Sequence, residues 1–171
     1  MYQRDAYNRQ VEKNLLETAA TATTKPRFWY AHFFLPHGQF YRDSLGKLNP
    51  AEKILNVKYV TDKSLYLSYL KYTNNIIKGL VKNIANKDPN AIVIIMSDHG
   101  FYDYNTKNEN DPYNFDNICF VKAPRNDPFF TNMHLSNVNF YRHLFNSQFG
   151  QNMPYLKDST VNVIEDPSVL R

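Results

Sequence analysis

The chain has 171 residues, 43% of them hydrophobic, which is enough for one domain with a real core. Its net charge is +4 and its pI about 9.0, but the 20 lysines and arginines are scattered. No stripe for neutralising phosphates is present, so no nucleic-acid partner is expected. One cysteine excludes an intrachain disulfide, and no apolar run approaches the ~20 residues of a membrane helix.

Residues from about Asp5 to Ala20 read as a helix, with Val11, Leu15, Leu16 and Ala19 at helical spacing. The linker from Thr21 to Pro26 ends it, because proline cannot continue a helix. Arg27 to Leu35 is rich in aromatics on both faces and reads as a central strand. Pro36-His37-Gly38 then forms a turn. His37, just past the strand, is either a functional residue or a solvent-exposed turn histidine. His32, inside the strand, reads as a core or supporting residue.

Residues 39–60 read as a covering loop with a short helical turn near Pro50 to Leu55. Thr61 or Asp62 caps a long helix through a side-chain oxygen. Leu65, Tyr69, Tyr72, Ile76, Leu80 and Ile84 form its packing stripe, widened by Leu70, Ile77 and Val81. This helix links the strand at 27–35 to the apolar run Ala91 to Met96. Strand, helix, strand implies the right-handed crossover of a parallel sheet.

The run from Ala91 is unbroken, rich in Ile and Val, and ends in Ser97-Asp98-His99-Gly100. It reads as a strand buried on both faces. Ligands of open α/β sheets bind beyond the carboxyl ends of strands, where Asp98 and His99 fall. An adjacent carboxylate and imidazole can grip Zn²⁺ or Mn²⁺. The same pair also fits a plain strand-end loop.

A polar surface loop follows to Asp116, then a strand over Asn117 to Ala123, where Cys119 is expected as a small buried side chain. Ser136 is expected to cap a last helix to Phe149, with Val138, Tyr141, Leu144 and Phe145 inward and Gly150 at C′. His134 and His143 read as surface or packing residues.

With these pieces in order, the chain resembles the sulfatase-like branch of the alkaline phosphatase superfamily. Three stretches carry the resemblance: Tyr30 to His37, Tyr66 to Asn74, and Ile94 to Gly100. Weaker support comes from Asn139 to Arg142 and Asn146 to Gly150. The resemblance implies a three-layer α/β/α sandwich with a mainly parallel sheet, alkaline phosphatase-like. It is incomplete here, because this chain corresponds to the C-terminal half of one catalytic domain.

The resemblance implies Asp98 and His99 as ligands of a divalent metal, Zn or Mn rather than Ca or Mg. It implies His37 as the contact to the sulfuryl or phosphoryl oxygens of a sulfate- or phosphate-ester substrate. Both segments are then expected side by side. The family's nucleophile and first acidic ligand precede the Pro-His strand, and no residue here stands in that role. Thr21, Thr23 and Thr24 lie in a linker, and Cys119 lies in a strand. The segment after Gly100 also departs from the Leu-Gly-Glu-His type of many sulfatases. Phosphoryl or phosphoethanolamine transfer is therefore expected on the same footing as sulfate-ester hydrolysis. The parent is expected to be bacterial and membrane-anchored through an upstream segment, with this part at the periplasmic or extracellular face. The alternative is a non-catalytic domain binding an anionic glycan or lipid headgroup.

Overall fold

Helix α1 spans Gln3–Ala20, α2 Ala51–Leu55 and α3 Lys63–Lys87, followed by strands β1 (Val93–Met96) and β2 (Cys119–Lys122) and helix α4 (Asn137–Phe149). The computed structural model describes residues 2–101, 116–124 and 137–158. The surface loop expected after Gly100 lies mostly outside the described residues, as do His134 and the cap expected at Ser136. The chain divides into two compact units, Met1–Lys122 and Ala123–Arg171.

In the first unit α1 packs on α3. Val11, Leu15, Leu16 and Ala19 are half-buried as expected, but the buried residues of α1 are Asp5 and Asn8. Arg42 donates to both carboxylate oxygens of Asp5, from Nε and Nη2, at 2.7 Å each. Asn8 donates from Nδ2 to the Phe34 carbonyl at 3.2 Å and accepts from the Phe34 N–H at 2.8 Å. Polar pairs thus dock the start of this helix, where an apolar stripe docks the rest.

The strand expected over residues 27–35 does not form. A strand is defined by its ladder, and no ladder partner lies along this segment among the described residues. At Phe34 the backbone bonds that a neighbouring strand would make are made by Asn8 instead. Phe28 and Tyr30 are exposed rather than sandwiched. His32 is also exposed, with its ring 4.8 Å from that of Phe34.

The loop to residue 60 is well tied. Arg42 bridges to Leu48, and Gly46 turns the chain at φ +84, where a Cβ would be strained. Ile54 of α2 reaches the core. Asp62, rather than Thr61, caps α3 by accepting from the Leu65 N–H at 3.0 Å. Phe40, Tyr41, Ile54 and Tyr69 form the core cluster, and Leu35, Leu65, Tyr66, Tyr72 and Phe101 pack around it. Its rings meet edge to face, as in Phe40–Tyr69 at 6.1 Å, or tilted, as in Tyr66–Phe101 at 4.4 Å.

β1 pairs with β2 antiparallel, with Val93 opposite Lys122 and Met96 opposite Cys119. This corrects the crossover reading, which required a parallel partner at 27–35. An antiparallel pair needs no crossover, whereas a parallel pair does. β1 is half-buried rather than covered on both faces. Cys119 is exposed, because its strand has a neighbour on one side only among the described residues.

In the second unit, α4 buries Asn139, Phe140 and Leu144. Tyr141 and Phe145, expected inward, are exposed. The buried face is set by Asn139, which accepts from the Leu156 N–H at 2.9 Å and donates to its carbonyl at 2.8 Å. Asn146 holds Met153 in the same way, at 2.7 and 2.9 Å. Arg142 adds a bond to the Pro154 carbonyl at 3.0 Å, so the segment after Gly150 lies strapped along the helix. Gly150 takes the left-handed C′ position at φ +64, as expected. Among the described residues no helix is long and apolar enough to cross a membrane.

Candidate functional site

The turn after β1 is held by its own serine. Ser97 N–H donates to the Ile118 carbonyl at 3.0 Å, and its Oγ accepts from the Ile118 N–H at 2.9 Å. These bonds extend the hairpin ladder one step beyond Met96 and fix the point from which Asp98 and His99 project. Asp98 Oδ1 accepts from the His99 N–H at 3.0 Å, which orients the carboxylate. His99 Nδ1 lies 2.7 Å from the Gly100 carbonyl oxygen. A carbonyl only accepts, so in this contact Nδ1 carries the proton and Nε2 is the ring nitrogen that remains for ligation. That is the tautomer in which an imidazole ligates a metal, with its other nitrogen oriented by a backbone carbonyl.

His99 Nε2 and Asp98 Oδ2 are 3.8 Å apart. Two bonds of about 2.0–2.2 Å to one ion can span that gap, so the pair fits as two donors to a single divalent cation. The donor set is one hard oxygen and one borderline nitrogen, which suits Zn²⁺ or Mn²⁺ better than an all-oxygen cation. Asp98 is 90% exposed and His99 40%, so the pair opens to solvent. Among the described residues no group of three His, Cys, Asp or Glu side chains converges. The pair therefore offers part of a coordination shell.

His37 is exposed in the turn after Leu35. Its Nδ1 is hydrogen-bonded to the Gly38 carbonyl, and Arg4 Nη1 lies 3.3 Å from the same nitrogen. The ring also meets Phe34 edge to face at 6.5 Å. Its hydrogen-bonding neighbours are thus Arg4 and Gly38. Leu35 and Phe101 stand two residues from His37 and His99, and both pack on the cluster of Phe40, Tyr41, Ile54 and Tyr69.

Three supporting residues escaped the sequence reading: Arg4 beside His37, Asn8 behind Phe34, and Ser97 beneath Asp98. A signal existed for Asn8. The stripe through Val11 and Leu15 continues backward at helical spacing to Asn8 and Asp5, polar residues on a packing face. Cys119 lies at the start of β2. Partial covering of its thiol pushes its pKa up, away from the thiolate.

A protein-family model described as Sulfatase matches residues 3–118. No curated protein and no solved structure matches the chain significantly. The matched span runs from the first turn of α1 to the residue before β2, and so contains His37, Asp98 and His99 together with Arg4, Asn8 and Ser97. The family's domain is of the alkaline phosphatase-like α/β type, acts on sulfate or phosphate esters and generally uses a divalent metal. Matched over most of its length by that model, the chain belongs to the sulfatase family.

Proposed function

We propose that residues 1–171 form the C-terminal half of a sulfatase-like catalytic domain that hydrolyses or transfers sulfate or phosphate esters. In this reading Asp98 and His99 hold a divalent metal, Zn or Mn, and His37 contacts the oxygens of the group being transferred. The nucleophile and the first acidic ligand are supplied by sequence outside these residues, in a parent anchored to a bacterial membrane. The complete domain would be the three-layer sandwich with a mainly parallel sheet. The observation that carries the reading is the geometry at His99: its Nδ1 lies 2.7 Å from the Gly100 carbonyl oxygen, and its Nε2 lies 3.8 Å from an Asp98 oxygen.

A bound divalent ion supplies charge neutralisation for the ester oxygens. The chain's own residues do the rest. Ser97 and the Asp98 carboxylate–amide bond keep the two donors on one side of the turn. His37, with Nδ1–H on the Gly38 carbonyl, reaches oxygen through Nε2–H when the ring is protonated. In that form it can stabilise developing charge or hand a proton to a leaving oxygen.

Calorimetry of the 171-residue chain with Zn²⁺ and Mn²⁺ tests the ligand assignment. Weak binding is expected, removed by Asp98→Ala or His99→Ala, since zinc prefers four ligands and two are provided. Tight stoichiometric binding that survives Asp98→Ala would end the assignment. A chain carrying its native upstream sequence should turn over an aryl sulfate or an aryl phosphate. There, His37→Ala should lower turnover with metal content unchanged, whereas His99→Ala should lower both. Unaltered turnover of His37→Ala would remove His37 from the site.

A further inference from the structure

We propose that Arg4 is a second cationic contact for the same tetrahedral oxyanion, gripping it with a guanidinium fork beside His37. The inference rests on the reading of His37 as an oxyanion contact. Arg4 Nη1 lies 3.3 Å from His37 Nδ1 and donates to the Gly38 carbonyl at 3.5 Å. Its guanidinium carbon stands 5.1 Å from the centroid of the Phe34 ring. The Nη1 end of the guanidinium reaches the His37 turn, at the Gly38 carbonyl.

The position is well supported from behind. Asp5, the next residue, is locked to Arg42, and Asn8, one turn on, clamps the backbone of Phe34 itself. The helix that carries Arg4 and the ring on which it rests are therefore held to one another. Among the described residues no carboxylate pairs with Arg4, although Asp5 adjoins it and is taken by Arg42 and Arg9. Among the described residues, the partners of its five N–H donors all lie at Nη1.

That arrangement makes poor sense as structure alone. When His37 is protonated, two like charges stand 3.3 Å apart, and among the described residues no carboxylate pairs with Arg4. An anion beside the turn offsets that repulsion and meets the Nε2–H of His37 and the guanidinium edge of Arg4, while Nη1 and Nδ1 stay on the Gly38 carbonyl. A planar fork matches sulfate and phosphate oxygens two at a time, which an ammonium cannot do.

The test is an NMR titration of the 171-residue chain with inorganic sulfate and with inorganic phosphate at constant ionic strength. The Arg4 Nε–H and His37 ring signals are followed. Both should shift together on one isotherm. Arg4→Gln should weaken binding by roughly 3–10-fold, the range for a charge-assisted contact partly open to solvent. Arg4→Lys keeps the charge and the stack over Phe34 but loses the fork, and should still bind more weakly than the unaltered chain. Urea midpoints, read from the single Trp29, separate this from a packing role and should change little in Arg4→Lys. Unaltered affinity in both Arg4 variants, with binding lost in His37→Ala, would overturn the role of Arg4 and leave His37 standing. No shift at either side chain in the unaltered chain would overturn both.

Discussion

Removing the Asp5 carboxylate should cost the first unit more stability than any single apolar truncation on α1. Asp5 is 4% exposed and Arg42 14%, and the two share a pair of 2.7 Å bonds. Deleting one partner of a buried pair leaves a charge without its counter-ion and costs about 3–5 kcal/mol. Arg42 would keep its bond to the Gly46 carbonyl at 2.6 Å and its place 6.0 Å from the Tyr72 ring, which favours the lower end. The Arg9 contact to Asp5 at 3.5 Å is exposed on the arginine side and adds little. Asp5→Ala should therefore lose ~3 kcal/mol, which moves a urea midpoint by ~1.5 M at a slope of about 2 kcal/mol/M. Trp29 is the one tryptophan and lies in the first unit, so its fluorescence reports that unit directly. The double variant Asp5→Ala, Arg42→Met should recover part of the loss, because it removes the orphaned charge. A midpoint drop below ~0.3 M in Asp5→Ala, or a double variant whose loss equals the sum of the two single ones, would refute the buried-pair argument.

Tyr69 is fully buried and its hydroxyl has no hydrogen-bond partner among the described residues. Tyr69→Phe should leave stability unchanged or raise it by up to ~1 kcal/mol, since it removes an uncompensated polar group. Burial, first among several causes, pushes the Tyr69 pKa far above 10.0, so the folded state keeps a proton that the unfolded chain releases. The stability linked to that proton is intact below about pH 10 and falls as pH rises beyond it. Urea midpoints at about pH 9 and about pH 11 should converge in Tyr69→Phe. Tyr41, Tyr66 and Tyr72 are also raised, so the slope shrinks without vanishing, and an unaltered slope would contradict the argument. A Cβ on Gly38 would stand 3.1 Å from Val60 Cγ1. Gly38→Ala should cost about 1–3 kcal/mol and shift the His37 ring signals, with unchanged spectra as the opposing result. Gly79, with nothing within 4 Å of its Cβ position, is the matched control, and Gly79→Ala within α3 should stabilise by up to ~1 kcal/mol.

Helix α3 was legible because its stripe and its Asp62 cap are local patterns that its packing reinforces. β1 and β2 were legible as short apolar runs between turns, but their pairing was not. Direction depends on which segment offers an unpaired edge, and nothing in the Arg27–Leu35 run reveals that Asn8 occupies its backbone at Phe34. Asp98 and His99 were legible as an adjacent donor pair at a strand end. The tautomer that suits His99 to ligation depends on the Gly100 carbonyl, which is visible only in three dimensions. Arg4 was invisible for a related reason: 33 residues separate it from His37, and no local spacing joins them. The inward face of α4 was read correctly at Leu144 and misread at Tyr141 and Phe145, because Asn139, a polar residue, takes a buried place that an apolar rule gives to them.

The asparagine clamps of α4 reverse the usual map of tolerance to substitution. Asn139 and Asn146 each bond the N–H and the carbonyl of one residue on the strap, and those atoms belong to the backbone that nearly every amino acid shares. Leu156 and Met153 leave much of their side chains in solvent, so their identity is loosely bound by the contact they make. The burden of identity falls on the helix. Aspartate has no donor for the carbonyl, leucine has neither group, and glutamine carries the amide one methylene too far. In the strap the large apolar residues can drift, and on the helix the two small polar ones cannot.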